Sequence, residues 1–364
     1  MKRILVGGAG GTPSNNFIRS LRESGEPFHF IGMTSRKYDL AKAKTEERFL
    51  VPPARDPAYR VVLEQILAET RPDFFHAQHD FEIEAISEWR DELPVRMFLP
   101  AKDTVRACVD KFLSYERWQQ AGLRVPDTVD IGSPADLRAA FDRFGELWLR
   151  FRKGGGGLGA LRTSDRALGE RWIDHYDGWG QFSAAECLTA DSVTWMSLWK
   201  DGELVCAQGR KRLYWEFGSR SVAGVTGITG TGVTVSDPEV DRVALAAIHA
   251  IDPSPNGIFG VDLTYDAHGV PNPTEINIGR FFTTIDFFTA AGLNMPAIYL
   301  KLAFDEPLPD LPRRINPLPD GLAWVRGMDC EPVLLPLETI EGWDAELRGR
   351  FAAAAVPAVT VPLP

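Results

Sequence analysis

Four residues in the C-terminal third of the chain have the types and spacing to do chemistry together: Asp262, Glu275, Asn277 and Arg280. Asp262 lies in the apolar, β-branched run that starts at Gly260. His268-Gly269 marks a turn, and Glu275 and Asn277 follow in a second such run. Alternation along a strand puts i and i+2 on one face, so Glu275 and Asn277 point together. If the two runs pair as a hairpin, Asp262 joins them. Two carboxylates and an amide oxygen, with a guanidinium just beyond, suit a hard divalent cation that also holds phosphates.

The elements that must position this cluster are read from the rest of the chain. At 364 residues it is long enough for two or three domains. Hydrophobic content of 44% and charged content of 25% are those of a globular protein. A net charge of −10 argues against a nucleic-acid partner, while allowing local basic pockets. Cys108, Cys187, Cys206 and Cys330 are scattered with no CxxC pair, which fits neither a disulfide framework nor a zinc site. They read as reduced thiols in a cytoplasmic protein. The N-terminus lacks the apolar stretch of a signal peptide, and no run is long enough to span a membrane.

Residues 1–100 read as alternating strands and helices with glycines after the first strand, the pattern of a parallel doubly wound sheet. The strands fall at Arg3–Val6, Phe28–Met33, Phe49–Val51 and Phe74–Ala77. The helices fall at Ser14–Ser24, Tyr59–Thr70 and Phe81–Trp89. Gly7-Gly8-Ala9-Gly10-Gly11 departs from the dinucleotide fingerprint, and no ribose-binding carboxylate ends the second strand. A nicotinamide oxidoreductase is therefore disfavoured. The His79-Asp80 loop falls after the fourth strand, at the carboxyl edge where ligands bind in such sheets.

Helical segments follow at Thr104–Val109 and Lys111–Ala121, then a Ser133-capped helix to Phe144 and a strand at Leu147–Arg150. Arg150-Phe-Arg-Lys-Gly-Gly-Gly-Gly-Leu-Gly159 is a glycine-rich loop flanked by cations, whose N–H groups can close on phosphates without a Walker-A pattern. Strands are expected at Phe182–Leu188, Ser192–Lys200 and Glu203–Gln208. The cations Arg210-Lys211-Arg212 come next. Arg210 or Lys211 is a candidate for holding an acid. Gly224–Gly232 reads as a second glycine- and threonine-rich loop, and Pro238–Ile251 as an amphipathic helix. A helix is expected at Met295–Phe304. Pro307–Pro319 reads as a proline-rich linker, and residues 320–364 as a small tail with two short strands and a weak helix.

In this order the motifs resemble the ATP-grasp superfamily, in particular its carbamoyl-phosphate-synthase-like carboxylate–amine ligases, over about residues 1–305. The resemblance implies α/β and α+β architecture: a Rossmann-like domain over 1–100, an ATP-grasp domain over 101–305 with a lid subdomain near 125–205, and a C-terminal element over 306–364. Asp110-Lys111 resembles the family's D-K/R, and Arg150 the cation that ends the strand before the loop; both would contact ATP phosphates. Gly154, Gly156 and Gly159 match the glycine lid. Glu186, Cys187 and Leu188 look like the adenine hinge, with Asp191 for the ribose. Asp262, Glu275 and Asn277 match the metal-binding D…E-x-N, and Arg280 the arginine that steadies the transferred phosphate. Phe151 stands where the family has Pro, Gly157 where it has Ser, and Gly279 is an added residue before Arg280.

The activity so implied is ATP-dependent phosphorylation of a carboxylate and capture of the acyl phosphate by an amine, with release of ADP and phosphate. The cofactor would be Mg2+, with Mn2+ able to replace it. The partners would be small-molecule acid and amine, with Arg210, Lys211, Asn16 and Asp80 as candidate substrate contacts. The resemblance also implies a homodimer through the N-terminal domain. The rival reading is a Mg-ATP-binding module that turns nothing over.

Overall fold

The computed structural model describes residues 1–225, 227–327, 333–339 and 341–342. Among these, the strands form three sheets. The first is parallel, in the order β3-β2-β1-β4, with β1 (Lys2–Val6), β2 (Phe28–Thr34), β3 (Glu47–Leu50) and β4 (Phe74–His76). Helices α1 (Thr12–Glu23), α2 (Lys37–Lys42), α3 (Tyr59–Thr70) and α4 (Asp80–Ser87) connect and flank these strands. Strands of such a sheet are buried on both faces, and β1 is: Ile4 and Val6 enter one core cluster while Leu5 enters the other. Helices α5 (Lys102–Val109) and α6 (Lys111–Gln120) lead out of this region. Asp110 ends the first and caps the second by accepting from Phe112 N and Leu113 N.

The second sheet is small and antiparallel, in the order β5-β8-β6-β7: β5 (Thr128–Ile131), β6 (Leu147–Phe151), β7 (Leu161–Thr163) and β8 (Phe182–Glu186). Helices α7 (Pro134–Phe144) and α8 (Arg166–His175) accompany it. It keeps its own core of Ile131, Leu137, Phe141, Leu149, Ile173 and Phe182. A sheet with a separate core can shift as a body relative to the rest.

The third sheet carries the site. Its order is β13-β12-β9-β10-β11-β14-β15, all antiparallel. The strands are β9 (Ser192–Lys200), β10 (Glu203–Trp215), β11 (Thr229–Val235), β12 (Gly257–Tyr265), β13 (Pro271–Ile278), β14 (Leu322–Val325) and β15 (Val333–Pro336). Helix α9 (Pro238–Ile251) covers one face, with Val240, Ala244, Ala247 and Ile248 packed among Val193, Trp195, Val261 and Leu263. Helices α10 (Ile285–Ala290) and α11 (Met295–Ala303) pack with Met196, Leu198 and Ile258 in the cluster that also takes Ile4 and Phe30 of the parallel sheet. The parallel sheet and the large sheet thus share continuous apolar cores.

Most expected elements occur within one or two residues of their expected ends. Three differ. Strand β10 runs on to Trp215 instead of ending at Gln208, because it stays paired with β9 as far as Arg212 and with β11 through Trp215. The glycine- and threonine-rich stretch expected as a loop to Gly232 becomes strand β11 from Thr229, since its backbone finds β10 on one side and β14 on the other. Strand β14, expected in a tail, is thereby continuous with the large sheet. The weak helix expected near the C-terminus falls mostly outside the described residues, as does Cys330.

Candidate active site

The hairpin expected from the sequence forms. Asp262 on β12 stands directly opposite Glu275 on β13, and Gly260 opposite Asn277. Asn277 Nδ2 donates to Asp262 Oδ2 at 2.9 Å. The same row of cross-strand partners runs on through Thr194 of β9 and Arg210 of β10. Thr194 Oγ1 donates to Asp262 Oδ1 at 2.5 Å.

Cations from elsewhere converge on these carboxylates. Lys111, first residue of α6, is buried; its Nζ lies 3.6 Å from Glu275 Oε1 and donates to the carbonyl of Gly154. Arg150, on β6 of the small sheet, reaches across to donate to the Thr274 carbonyl at 2.9 Å. Its Nε is buried without a hydrogen-bond partner. Burial lowers the Arg150 pKa, against the pull of Glu275 and Asp262. The unpartnered Nε leaves Arg150 with a donor available to an anionic ligand.

Arg280 is held tightly. Gly279 turns the chain with φ +67, and Arg280 Nη2 then donates to Asn277 Oδ1 at 2.5 Å and to Asp80 Oδ2 at 3.0 Å; its Nε also pairs with Asp80. The added residue thus places Arg280 against Asn277. Burial alone would lower the Arg280 pKa, but Asp80 raises it; burial alone would raise Asp80, but the Arg280 charge and hydrogen bonds hold it below the ordinary carboxylate range.

The glycine loop spans this cluster. Lys153 Nζ pairs with Glu84 of α4 at 2.6 Å. Arg152 pairs with Asp110 at 2.8 Å and with Asp130 at 3.1 Å, so its charge is taken up at the junction of α6 with the small sheet. A Cβ on Gly157 would stand 2.6 Å from the Val225 carbonyl oxygen, so this loop and the one before β11 touch.

Residues 187–191 cross from the small sheet to the large one. Glu186 is tied at both ends to Asp127: its N–H donates to the Asp127 carbonyl at 3.0 Å, and its Oε1 accepts from Asp127 N at 3.1 Å. Thr189 N donates to the Tyr265 carbonyl, and Tyr265 N to the Asp191 carbonyl, each at 3.0 Å. Cys187 is half-buried, its thiol pushed up to about 11 by burial and Glu146.

Two candidate substrate residues, Lys211 and Asn16, have partners within the protein. Lys211 lies on the opposite face of β10 from Arg210 and Arg212, opposite Val193, and its Nζ pairs with Asp191 at 3.2 Å. Period-2 alternation along the extended strand forces this. Asn16 is buried, and its amide donates to the Thr283 carbonyl at 2.7 Å, tying α1 to the segment after β13. Arg212, the third cation of the triplet, lies 3.8 Å from Asp262 Oδ1 and stacks 3.7 Å from the Trp215 ring. Arg326, just past β14, donates to the carbonyls of Thr229 at 2.8 Å and Thr283 at 3.1 Å. The sequence reading did not single out Arg326, and nothing local marks it.

Among the described residues no group of three or more His, Cys, Asp or Glu could hold a metal. The donor set is two carboxylates and an amide oxygen. That fits Mg2+, which takes one or two carboxylates and fills its octahedron with waters and phosphate oxygens.

A parallel sheet followed by a small antiparallel sheet and a larger antiparallel sheet is the ATP-grasp fold, and this chain has it. Among solved structures, the chain is similar to N5-carboxyaminoimidazole synthetase from Staphylococcus aureus (TM-score 0.68, 12% identity, 96% of this chain and 98% of that one). It is similar to the biotin carboxylase domain of 2-oxoglutarate carboxylase from Hydrogenobacter thermophilus, solved with MgADP and bicarbonate (TM-score 0.68, 14% identity, 89% of this chain and 73% of that one). It is also similar to L-amino acid ligase from Bacillus licheniformis (TM-score 0.61, 15% identity, 89% of this chain and 79% of that one). At these identities the likeness establishes the fold. No family profile matches the chain, and no curated protein does. Among the described residues no helix is long and apolar enough to cross a membrane.

Proposed function

We propose that the protein is an ATP-dependent carboxylate–amine ligase. The observation that carries this reading is the convergence of Lys111, Arg150 and Arg280, from three different parts of the chain, on the Asp262–Glu275–Asn277 cluster. Asp262, Glu275 and Asn277 would hold Mg2+, or Mn2+ in its place. Bound there, the cation would neutralise charge on the β- and γ-phosphates. The similar solved proteins include a biotin carboxylase domain with MgADP, which supports the nucleotide assignment.

Lys111 and Arg150 hold the triphosphate, and the loop of Gly154, Gly156 and Gly159 covers it. The backbone of Glu186, Cys187 and Leu188 borders the base, and Asp191 the ribose. A substrate carboxylate oxygen attacks the γ-phosphorus. The bond to ADP breaks, and an acyl phosphate forms. Arg280, fixed by Asp80 and Asn277, steadies the transferred group. The amine then attacks the acyl carbon, phosphate leaves, and the amine loses a proton to solvent. Catalysis here is positioning and charge neutralisation, with no protein nucleophile. Arg212 faces the side of β10 toward which the acid would bind, with Arg210 buried behind it against Thr194 and Thr284; Lys211 lies on the other face. The contact between the two loops excludes water from the acyl phosphate.

The test is release of ADP and phosphate from a panel of acids paired with amines. Release that depends on both an acid and an amine supports the ligase. Binding of Mg-ATP with no release from any pair would mark the protein as a nucleotide-binding module instead.

A further inference from the structure

The row Arg210–Thr194–Asp262–Glu275 crosses four neighbouring strands, β10, β9, β12 and β13. Thr194 is almost wholly buried, with 2% of its surface exposed. Its Oγ1 receives Nη2 of Arg210 at 2.8 Å and Nη2 of Arg212 at 3.4 Å. A guanidinium can only donate, and a hydroxyl has one proton and two lone pairs. With both lone pairs facing guanidinium N–H groups, the Thr194 proton has one direction left, toward Asp262 Oδ1 at 2.5 Å. The donor direction is thus set by chemistry.

Arg210 is the anchor. It is 2% exposed, and its named hydrogen bonds go to hydroxyls: Thr194, and Thr284 at 2.6 Å through Nη1. Thr284 lies in the segment that follows Arg280. Phe282 lies 4.5 Å from the guanidinium carbon. A buried charge held between two threonines keeps a desolvation cost that neutral hydroxyls offset only in part. Through Thr194 it orders one oxygen of Asp262, while Asn277 Nδ2 holds the other.

We infer that Thr194, held by Arg210, is a positioning residue that sets the orientation of Asp262 for the divalent cation of the nucleotide. The inference rests on the proposed metal–nucleotide site. Outer partners of metal-binding carboxylates typically change affinity by about 10–100-fold when removed.

The experiment is Mn2+ titration of the full chain in the presence of ADP, following the free-ion electron-spin signal, with ADP binding without metal measured alongside. Wild type should bind Mn2+. Thr194→Val, which keeps the shape and loses the hydroxyl, should bind it about 10–100-fold more weakly while binding metal-free ADP as wild type does. Thr194→Ser should restore the affinity. Equal Mn2+ affinity in wild type and Thr194→Val overturns the inference and leaves the metal site standing. Absence of Mn2+ binding by wild type overturns both. If Thr194→Val does not fold, the double variant Thr194→Val, Arg210→Met removes, together with the hydroxyl, the buried Arg210 donor that would otherwise be left unsatisfied. It should fold and still bind Mn2+ weakly; wild-type affinity in the double variant overturns the inference.

Discussion

Glu275 shows how much rests on one side chain. It faces Asp262 across the hairpin and lies within reach of Lys111, so on the proposed reading removing its charge would disturb both the cation and the phosphates. Glu275→Gln should lower ADP release by at least about 100-fold, the scale of losing one preorganised charge contact, with the fold intact by circular dichroism. Near-wild-type turnover would sink the metal assignment. A second carboxylate makes a prediction of the opposite kind. Glu82 is buried beside Gly7, accepts from Tyr59 Oη at 2.7 Å, and burial raises its pKa to about 7. The folded protein therefore keeps a proton that the unfolded chain releases above about 4.5. Between those pH values the unfolded state binds fewer protons, so this group costs stability as pH rises. The unfolding free energy of wild type relative to Glu82→Gln should fall by on the order of 3 kcal/mol between these pH values. A pH-independent difference in urea titrations would refute it.

Among the elements, the turn after β13 and the two loops over the site decide whether these residues work together. Gly279 sits in the left-handed region at φ +67, and a Cβ there would meet Leu99 at 3.1 Å and Ile83 at 3.3 Å. Gly279→Ala should cost about 1–2 kcal/mol in denaturant unfolding and lower kcat by displacing Arg280, with KM for ATP little changed. An unaltered kcat would mean that Arg280 does not need this turn. Gly157→Ala should hold the two loops apart and let water reach the acyl phosphate; ATP hydrolysis should rise relative to amide formation. At this scale the sequence was legible where periodicity is long. Tyr59–Thr70, Ser192–Lys200 and Pro238–Ile251 occur as read. Three-residue β7 and helix α8 went unread because the strand is too short for a pattern; the capping Asp165, which accepts from Ala167 N and Leu168 N, was the available mark of the helix.

On the scale of the whole molecule, the small sheet has its own core, while the parallel and large sheets share theirs. Motion should therefore be concentrated between the small sheet and the rest. MgADP should slow tryptic cleavage after Arg152 and Lys153, because the loop carrying them is pinned when phosphates lie beneath it. Cleavage at the same rate with and without nucleotide would argue against a closing lid. The sequence by itself determined the geometry of the edge hairpin: alternation over two residues puts Glu275 and Asn277 on one face, and a short turn brings Asp262 to them. Those are local facts of strand geometry. Only the tertiary structure decided which distant groups meet there. Asp80 pairs with Arg280 across 200 positions and Arg150 reaches Thr274 across 124, and such contacts follow from how three sheets pack. It also decided that β10 runs on through Arg210, Lys211 and Arg212 to Trp215, because a strand extends only where its neighbours continue to pair with it.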